Sequence, residues 1–323
     1  MHVLVDPAIL FFVFGVFAGL VKSNLEIPPA ISRFLSLYLL MALGLKGGFA
    51  LAQSGLTPQV AVSLSLAVFL AMLVPWLSYQ CLRRLLSGFD AAALAATYGS
   101  VSAVTFITAM NHLETHGLAY GGHMAAAMAL MESPAIIFAV LMANRLRGQS
   151  GAQQGPAGQR VSMGKILHES FTDGAQLLLL GAMLIGMVSG ESGQRAMQPF
   201  SGDLFKGMLA FFLLDMGLMA ARNLPGLRGQ SPWLLAYGLL APLVHAGMAL
   251  GLCWLLEVPQ ADAVLLMVLA ASASYIAVPA VLRYALPEAN PSLYVGLSLG
   301  LTFPFNILLG IPLYARLAAQ VLG

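Results

Sequence analysis

Two short stretches concentrate the hydroxyl chemistry of this sequence. One reads Tyr98-Gly99-Ser100-Val101-Ser102-Ala103-Val104-Thr105; the other reads Ala271-Ser272-Ala273-Ser274-Tyr275-Ile276-Ala277-Val278-Pro279. Each lies in the middle of a long apolar run. Small hydroxyl residues with a Gly or a Pro allow a helix to unwind, because the freed backbone groups can line a cavity or be met by side chains. An unwound centre leaves a half-helix N-terminus at membrane depth, carrying roughly half a positive elementary charge. Two such ends aimed at one point make an anion site without any Lys or Arg. The same residues also suit close packing of helices, and it is their occurring twice that raises the anion reading to an equal footing.

Ionisable residues inside apolar runs are few: Lys46, Glu132, Asp215 and His245. Such residues are costly in a bilayer and functional by default. Glu132 precedes Pro134, which is expected to kink its helix and turn the carboxylate toward a cavity, as a cation or proton ligand. Lys46 is read as snorkelling to an interface, and His245 as a packed donor between helices. His112-Leu113-Glu114-Thr115-His116 places two His four apart, but not in the metalloprotease order, and His123 nearby offers adventitious metal binding at most. No nucleophile elbow and no phosphate loop occurs, so enzyme chemistry is not expected.

The elements that would carry these residues are membrane helices. Of 323 residues, 59% are apolar and 9% charged, with a mean hydropathy of +0.85. A soluble domain is roughly 45–50% apolar and about 25% charged. The apolar runs are continuous rather than alternating, which argues against a β-barrel. A net charge of +2 is too small to attract nucleic acid. Cys81 and Cys253 form neither a disulfide framework nor a metal spacing. The stretch before the first run has no Lys or Arg, so that run is read as a retained helix.

Ten spans are expected, at about 8–21, 31–51, 59–80, 91–110, 119–143, 166–189, 204–221, 232–256, 262–282 and 292–318. Residues 144–165, rich in Gly, Gln and Arg, read as a flexible linker between a first five-helix half, 1–143, and a second, 166–323. Numbering the connections alternately puts Lys22, Arg33, Arg83, Arg84, Arg145, Arg147, Arg160, Lys165, Arg222, Arg228 and Arg283 on one side. Only Lys46, Arg195, Lys206 and Arg316 fall on the other. By the positive-inside rule the linker is cytoplasmic and both termini are outside.

The halves resemble each other at an offset near 170. Pro29 to Ala50 aligns with Pro199 to Ala220, with Gly47 on Gly217; Asp90 aligns with Asp262, Ser100-Val101-Ser102 with Ser272-Ala273-Ser274, and Glu132-Ser133-Pro134 with Thr302-Phe303-Pro304. A repeat with an odd number of spans must enter the membrane from opposite sides in its two copies. The expected architecture is therefore an all-α polytopic membrane protein of two inverted five-helix repeats, with helices 4 and 9 broken, a pattern common among secondary transporters.

The chain resembles the sodium-dependent bicarbonate transporters of the cyanobacterial SbtA type. The segments carrying the resemblance are Ile27-Pro28-Pro29-Ala30-Ile31-Ser32, Gly44-Leu45-Lys46-Gly47-Gly48, Ala241-Pro242-Leu243-Val244-His245, the run from Glu288 to Gly296 containing Asn290-Pro291-Ser292, and the two Ser-x-Ser stretches. The resemblance implies a bacterial inner-membrane homotrimer with a gate domain from helices 1, 2, 6 and 7 and a core domain from helices 3–5 and 8–10. It implies elevator-like import of bicarbonate with sodium as a co-transported ion rather than a cofactor. Carried over by position, Gly99, Ser100, Val101 and Ser102 match one half of the substrate site, and Ser272, Ala273 and Ser274 the other. Thr105, Glu132, Ser274 and Tyr275 match the cation side.

This chain departs from the family pattern at several places. Tyr275 stands where the family has an Asp, Lys46 stands where a small polar residue is usual, and Glu132 keeps an acid where Asp is common. The short linker argues against carrying over the PII-like regulator that some relatives bind. An uncompensated anion entering a cell works against roughly 2.3 kcal/mol per 100 mV, whereas a sodium ion neutralises it and supplies about 1.4 kcal/mol per tenfold gradient. Without the Asp, Glu132 and backbone carbonyls hold the cation, or a proton replaces sodium, or the substrate is another small carboxylate. A passive anion channel or a transport-dead sensor is the reading from another class.

Overall fold

The computed structural model describes residues 6–55, 57–149 and 174–323. Among them are helices and turns and no strand. We number the helices α1 (Pro7–Leu20), α2 (Pro29–Ser54), α3 (Pro58–Leu82), α4 (Gly88–Gly99), α5 (Ala103–Thr115) and α6 (Met124–Gln149). They continue with α7 (Gly174–Met197), α8 (Phe205–Asn223), α9 (Pro232–Leu255), α10 (Gln260–Ala271), α11 (Ala277–Ala285) and α12 (Pro291–Leu322). Within α12 two π-turns, Ser298–Thr302 and Asn306–Gly310, flank Pro304.

Local chemistry sets many of these boundaries. α1, α2, α3, α9 and α12 each open on a proline, whose missing N–H is not needed there. Asp6, Ser87, Ser231 and Asn290 cap their helices with side-chain oxygens. α6 stays helical through Pro134 and continues to Gln149, into the stretch expected to be linker. The remainder of that stretch, 150–165, and the expected start of the sixth span at 166–173 lie outside the described residues.

Seven helical stretches among the described residues are long and apolar enough to cross a membrane, with α4 and α5 counted together and α7 and α8 counted together; α1 and α10 are shorter apolar helices. The chain is thus an all-helical, multi-pass membrane protein. Its outer surface agrees. Phe11, Phe14, Phe17 and Leu20 of α1 are exposed, as are Leu240 and Val244 of α9. Trp233 and Trp254 project from opposite ends of α9. At 1.5 Å per residue they stand about 30 Å apart, the thickness of the hydrocarbon layer whose edges Trp favours.

The interior is built differently. α4 and α10 are buried almost all round; every residue from Ala91 to Gly99 and from Ala261 to Ala271 is buried. α1 packs on α8 and α2 on α7 at backbone contact. A Cβ on Gly15 would lie 2.3 Å from the Leu214 carbonyl oxygen, and one on Gly217 would lie 2.2 Å from that of Phe12. In the other pair, a Cβ on Gly48 would lie 2.1 Å from the Met183 oxygen and one on Gly186 would lie 2.7 Å from that of Leu45. Without a hydrophobic drive between helices in lipid, such close approach is what holds them together.

Two aspartates tie the ends of the buried helices. Asp90, in the first turn of α4, accepts the Asn290 N–H at 2.8 Å. Asp262, in the first turn of α10, accepts the Gly121 N–H at 2.6 Å and faces His123 at 3.5 Å. Burial lowers the pKa of His123, although the Asp262 carboxylate pulls the other way. At the end of α6, Arg147 donates to the Ala285 carbonyl, an orphan acceptor at the end of α11, and to both oxygens of Glu288 at 2.8 Å.

Those hydrogen bonds hold the Glu288 carboxyl below its ordinary value of 4.5. A depressed acid stabilises the fold above its unfolded pKa and loses that contribution as the pH falls through its folded pKa. Glu288→Gln should therefore lower the melting temperature of the detergent-solubilised protein at neutral pH. The difference from wild type should close once the pH falls below the carboxylate range.

Candidate functional site

α4 ends at Gly99, against which Pro75 of α3 packs; a Cβ there would lie 2.5 Å from the proline ring. Ser100 and Ser102 are extended, and α5 begins at Ala103 with the Ser102 hydroxyl oxygen accepting the Thr105 N–H at 3.2 Å. The second stretch repeats this design. α10 ends at Ala271, Ser272 is extended, and the Ser274 oxygen accepts the Val278 N–H at 3.2 Å in the first turn of α11.

The two breaks are stitched to each other. The Ser102 N–H donates to the Ser272 oxygen at 3.0 Å, and the Ser274 N–H donates to the Thr97 carbonyl at 2.9 Å. Ser272 passes its own proton to the Leu269 carbonyl at 3.0 Å. Asn306, on a π-turn of α12, donates to the freed Ala271 carbonyl at 2.9 Å and is itself held by Tyr314. Tyr98 meets Thr302, which donates to the Gly238 carbonyl at 2.7 Å. His245, read as a packed donor, is buried in α9. The Ser100 hydroxyl is buried and has no partner among the described residues, an unusual condition for a polar atom in an interior.

Beneath the breaks lies a cavity of about 320 Å³. Val101, Ser102 and Ala103 line it from the start of α5; Ser274, Tyr275 and Ala277 line it from the start of α11. α6 adds Met128, Glu132 and Ile136, α2 adds Ser36 and Leu40, and α7 adds Ala175, Gln176 and Leu179. Of the residues singled out from sequence, Val101, Ser102, Glu132, Ser274 and Tyr275 share this wall. Gly99, Ser100, Ser272 and Ala273 belong to the breaks but do not line the cavity. Thr105 does not line it either, and spends both its N–H and its O–H on Ser102.

Gln176, missed in the sequence reading, donates to Glu132 Oε2 at 2.8 Å. Its one signal was an amide at the polar start of an apolar run, just before Leu177 to Leu180. Among the described residues Glu132 is the one charged residue on the wall, and two helix N-termini open onto the same space.

A second cavity, about 460 Å³, lies further along α2. There Lys46 pairs with Glu114 at 3.2 Å and sits 4.2 Å over the Phe205 ring, while Tyr120 donates to Glu114 at 2.6 Å. Lys46 thus has a carboxylate partner besides whatever snorkelling it does. Burial and the neighbouring carboxylate raise the pKa of Tyr120. The two cavities are separated by little. α2 gives Leu40 to one and Leu43 to the other, α5 gives Val104 and Phe106, and α6 gives Met128 and Ala125. That spacing is about one helical turn. Asp215 lines neither cavity and is buried in α8. Among the described residues no three His, Cys, Asp or Glu side chains gather as a metal set.

A multi-pass helical protein with a polar pocket between paired helix breaks, and a second cavity a turn away, has the makings of a transporter of small solutes. The family comparison identifies which kind: residues 7–319 match the model of the Na+-dependent bicarbonate transporter superfamily, and the chain belongs to that family. Membership makes it a transporter and not an enzyme. A search among curated proteins finds no match.

Proposed function

We propose that the protein is a secondary active transporter that imports bicarbonate together with sodium across the inner membrane of a bacterium. The observation that carries this reading is the meeting of one carboxylate with two helix starts, each with a serine oxygen accepting a first-turn N–H, in a single cavity. The two helix ends contribute roughly one positive charge between them. Bicarbonate and an ionised Glu132 bring two negative charges. One monovalent cation closes that balance, and bound beside Glu132 it ties anion entry to cation entry. Ser274, with Val101 and the amides opening α5 and α11, holds the anion, and Ser102 lines the pocket beside it; Ser100, Ser272, Gly99 and Ala273 shape the breaks. Glu132 is the principal cation ligand, with Ser274 next to it, while Thr105 acts through Ser102.

The proposed architecture is ten spans in two inverted repeats, 1–143 and 166–323, with α4–α5 and α10–α11 as the two discontinuous spans. Supporting it is a set of contacts that recur with the halves exchanged. Gly15 on Gly217 answers Gly186 on Gly48, and Asp90 on Asn290 answers Asp262 on Gly121. These contacts pair Gly48, rather than Gly47, with Gly217. The gate is then α1, α2, α7 and α8, and the remaining helices form the core. Both cavities open along the boundary between these units, which favours an elevator-like displacement of core against gate. Termini outside and a homotrimer complete the proposal.

A proton in place of sodium is the second reading, favoured by Glu132 being the one carboxylate on the wall among the described residues. Uptake of labelled bicarbonate into proteoliposomes, with and without a sodium gradient and at two pH values, separates the two. Accumulation against the anion's electrochemical gradient excludes a channel. Competition by formate, acetate and larger acids tests the substrate. Glu132→Gln keeps the side-chain shape and removes the charge; sodium stimulation should fall at least tenfold while the protein level stays near that of wild type. Unchanged sodium stimulation would make Glu132 a structural residue.

A further inference from the structure

The hydrogens around Ser102 can be assigned by counting. A serine oxygen has two accepting positions and one proton. Thr105 fills both accepting positions, with its N–H at 3.2 Å and its O–H at 2.9 Å. The Ser102 proton is therefore directed outward, and the group it meets is the Tyr275 oxygen at 3.4 Å. Tyr275 is then an acceptor toward Ser102, and its own proton must go elsewhere. Behind the ring stands Phe303, 5.1 Å away between centroids, which offers no acceptor. No acceptor among the described residues meets that proton, and the open side of Tyr275 is the cavity it lines.

We propose that the Tyr275 hydroxyl is an anion-contacting residue, and that it sets specificity for small oxyanions by donating to one of their oxygens. The inference rests on the anion site proposed above and deepens it. A relay runs from Thr105 through Ser102 to Tyr275, and each step fixes the direction of the next. The last proton in the relay is presented, pre-oriented, to whatever occupies the cavity. A buried donor without its acceptor is costly, so a ligand that supplies an oxygen there is favoured over one that does not. Tyr275 thereby serves the anion and leaves the cation to Glu132. Thr105 is a positioning residue, acting through Ser102 without touching the ligand.

Tyr275→Phe tests this, because it keeps the ring against Phe303 and removes one oxygen. The half-saturation concentration for labelled bicarbonate should rise about tenfold, within the range for a hydrogen bond to a charged group. The maximal rate should stay within about twofold, and the half-saturation concentration for sodium should not move. A shift in the sodium value with the bicarbonate value unchanged would put the hydroxyl on the cation and overturn the proposal. No shift in either would reduce Tyr275 to packing and overturn it equally. Melting temperatures of both proteins in detergent show whether a loss of uptake is a loss of fold. If wild type takes up a different anion in the competition series, the substrate reading fails, and the same comparison on that anion still decides the role of Tyr275.

Discussion

Ser102→Leu should reduce bicarbonate uptake to the level of empty proteoliposomes while the protein still inserts and purifies. The argument has two parts. Ser102 lines the cavity, so a leucine there projects four carbons into a space of about 320 Å³ shared with Tyr275 and Glu132. It also removes the oxygen on which both Thr105 donors end and which caps α5. Loss of such a cap costs about 1 kcal/mol, far less than is needed to unfold the chain. Function and fold should therefore separate: uptake lost, melting temperature lowered by a few degrees. Ser102→Thr, which retains the hydroxyl, should keep a measurable rate. Normal uptake by the leucine variant would remove the α4–α5 break from the mechanism.

The second large effect is expected at a residue that touches no ligand. Gly48→Ala places a methyl group 2.1 Å from the Met183 carbonyl oxygen, where α2 crosses α7 and neither backbone can yield cheaply. Overpacking of this kind costs about 1–3 kcal/mol, and more where backbone must move. The melting temperature in detergent should drop by several degrees, and uptake should fall with the amount of folded protein. Gly247→Ala is the control. A Cβ at Gly247 meets nothing within 4 Å, although it too lies in a membrane helix. Equal melting of the two variants would show that the α2–α7 crossing is looser than its contacts indicate.

Much of the helix layout was legible because one physical quantity dominates it. Apolar runs long enough for a bilayer leave few alternatives, and most of the described helices fall on the expected runs to within a few residues; α7 runs on to Met197 past a kink at Gly190, beyond the expected end at 189. The end of α6 was not legible. Asn144 to Gln149 reads as the start of a polar linker, yet it stays helical because Arg147 has Glu288 and the end of α11 to bond. That partner is remote in sequence, and no local pattern announces it.

The candidate site divides in the same way. Gly, Ser and Pro in mid-run disclosed where helices could part, and Val101, Ser102, Ser274 and Tyr275 from those stretches line the cavity. Glu132, also on its wall, was singled out because charge is rare in such company. Gln176 was not, since one amide near a span end looks like a solvated residue until Glu132 is seen opposite it. Lys46 was read for reach to an interface; its partner Glu114, in another helix, was invisible to that reasoning.

The partition between the two cavities has an electrical consequence. Each void is large enough to admit water; if the two open to opposite faces of the membrane, that water carries the potential of each face inward. The membrane voltage then drops over about one helical turn instead of the full hydrocarbon thickness of about 30 Å. The local field is several times steeper than across plain lipid. An ion that shifts by only a few ångströms past Leu40 and Leu43 has crossed nearly the whole electrical distance.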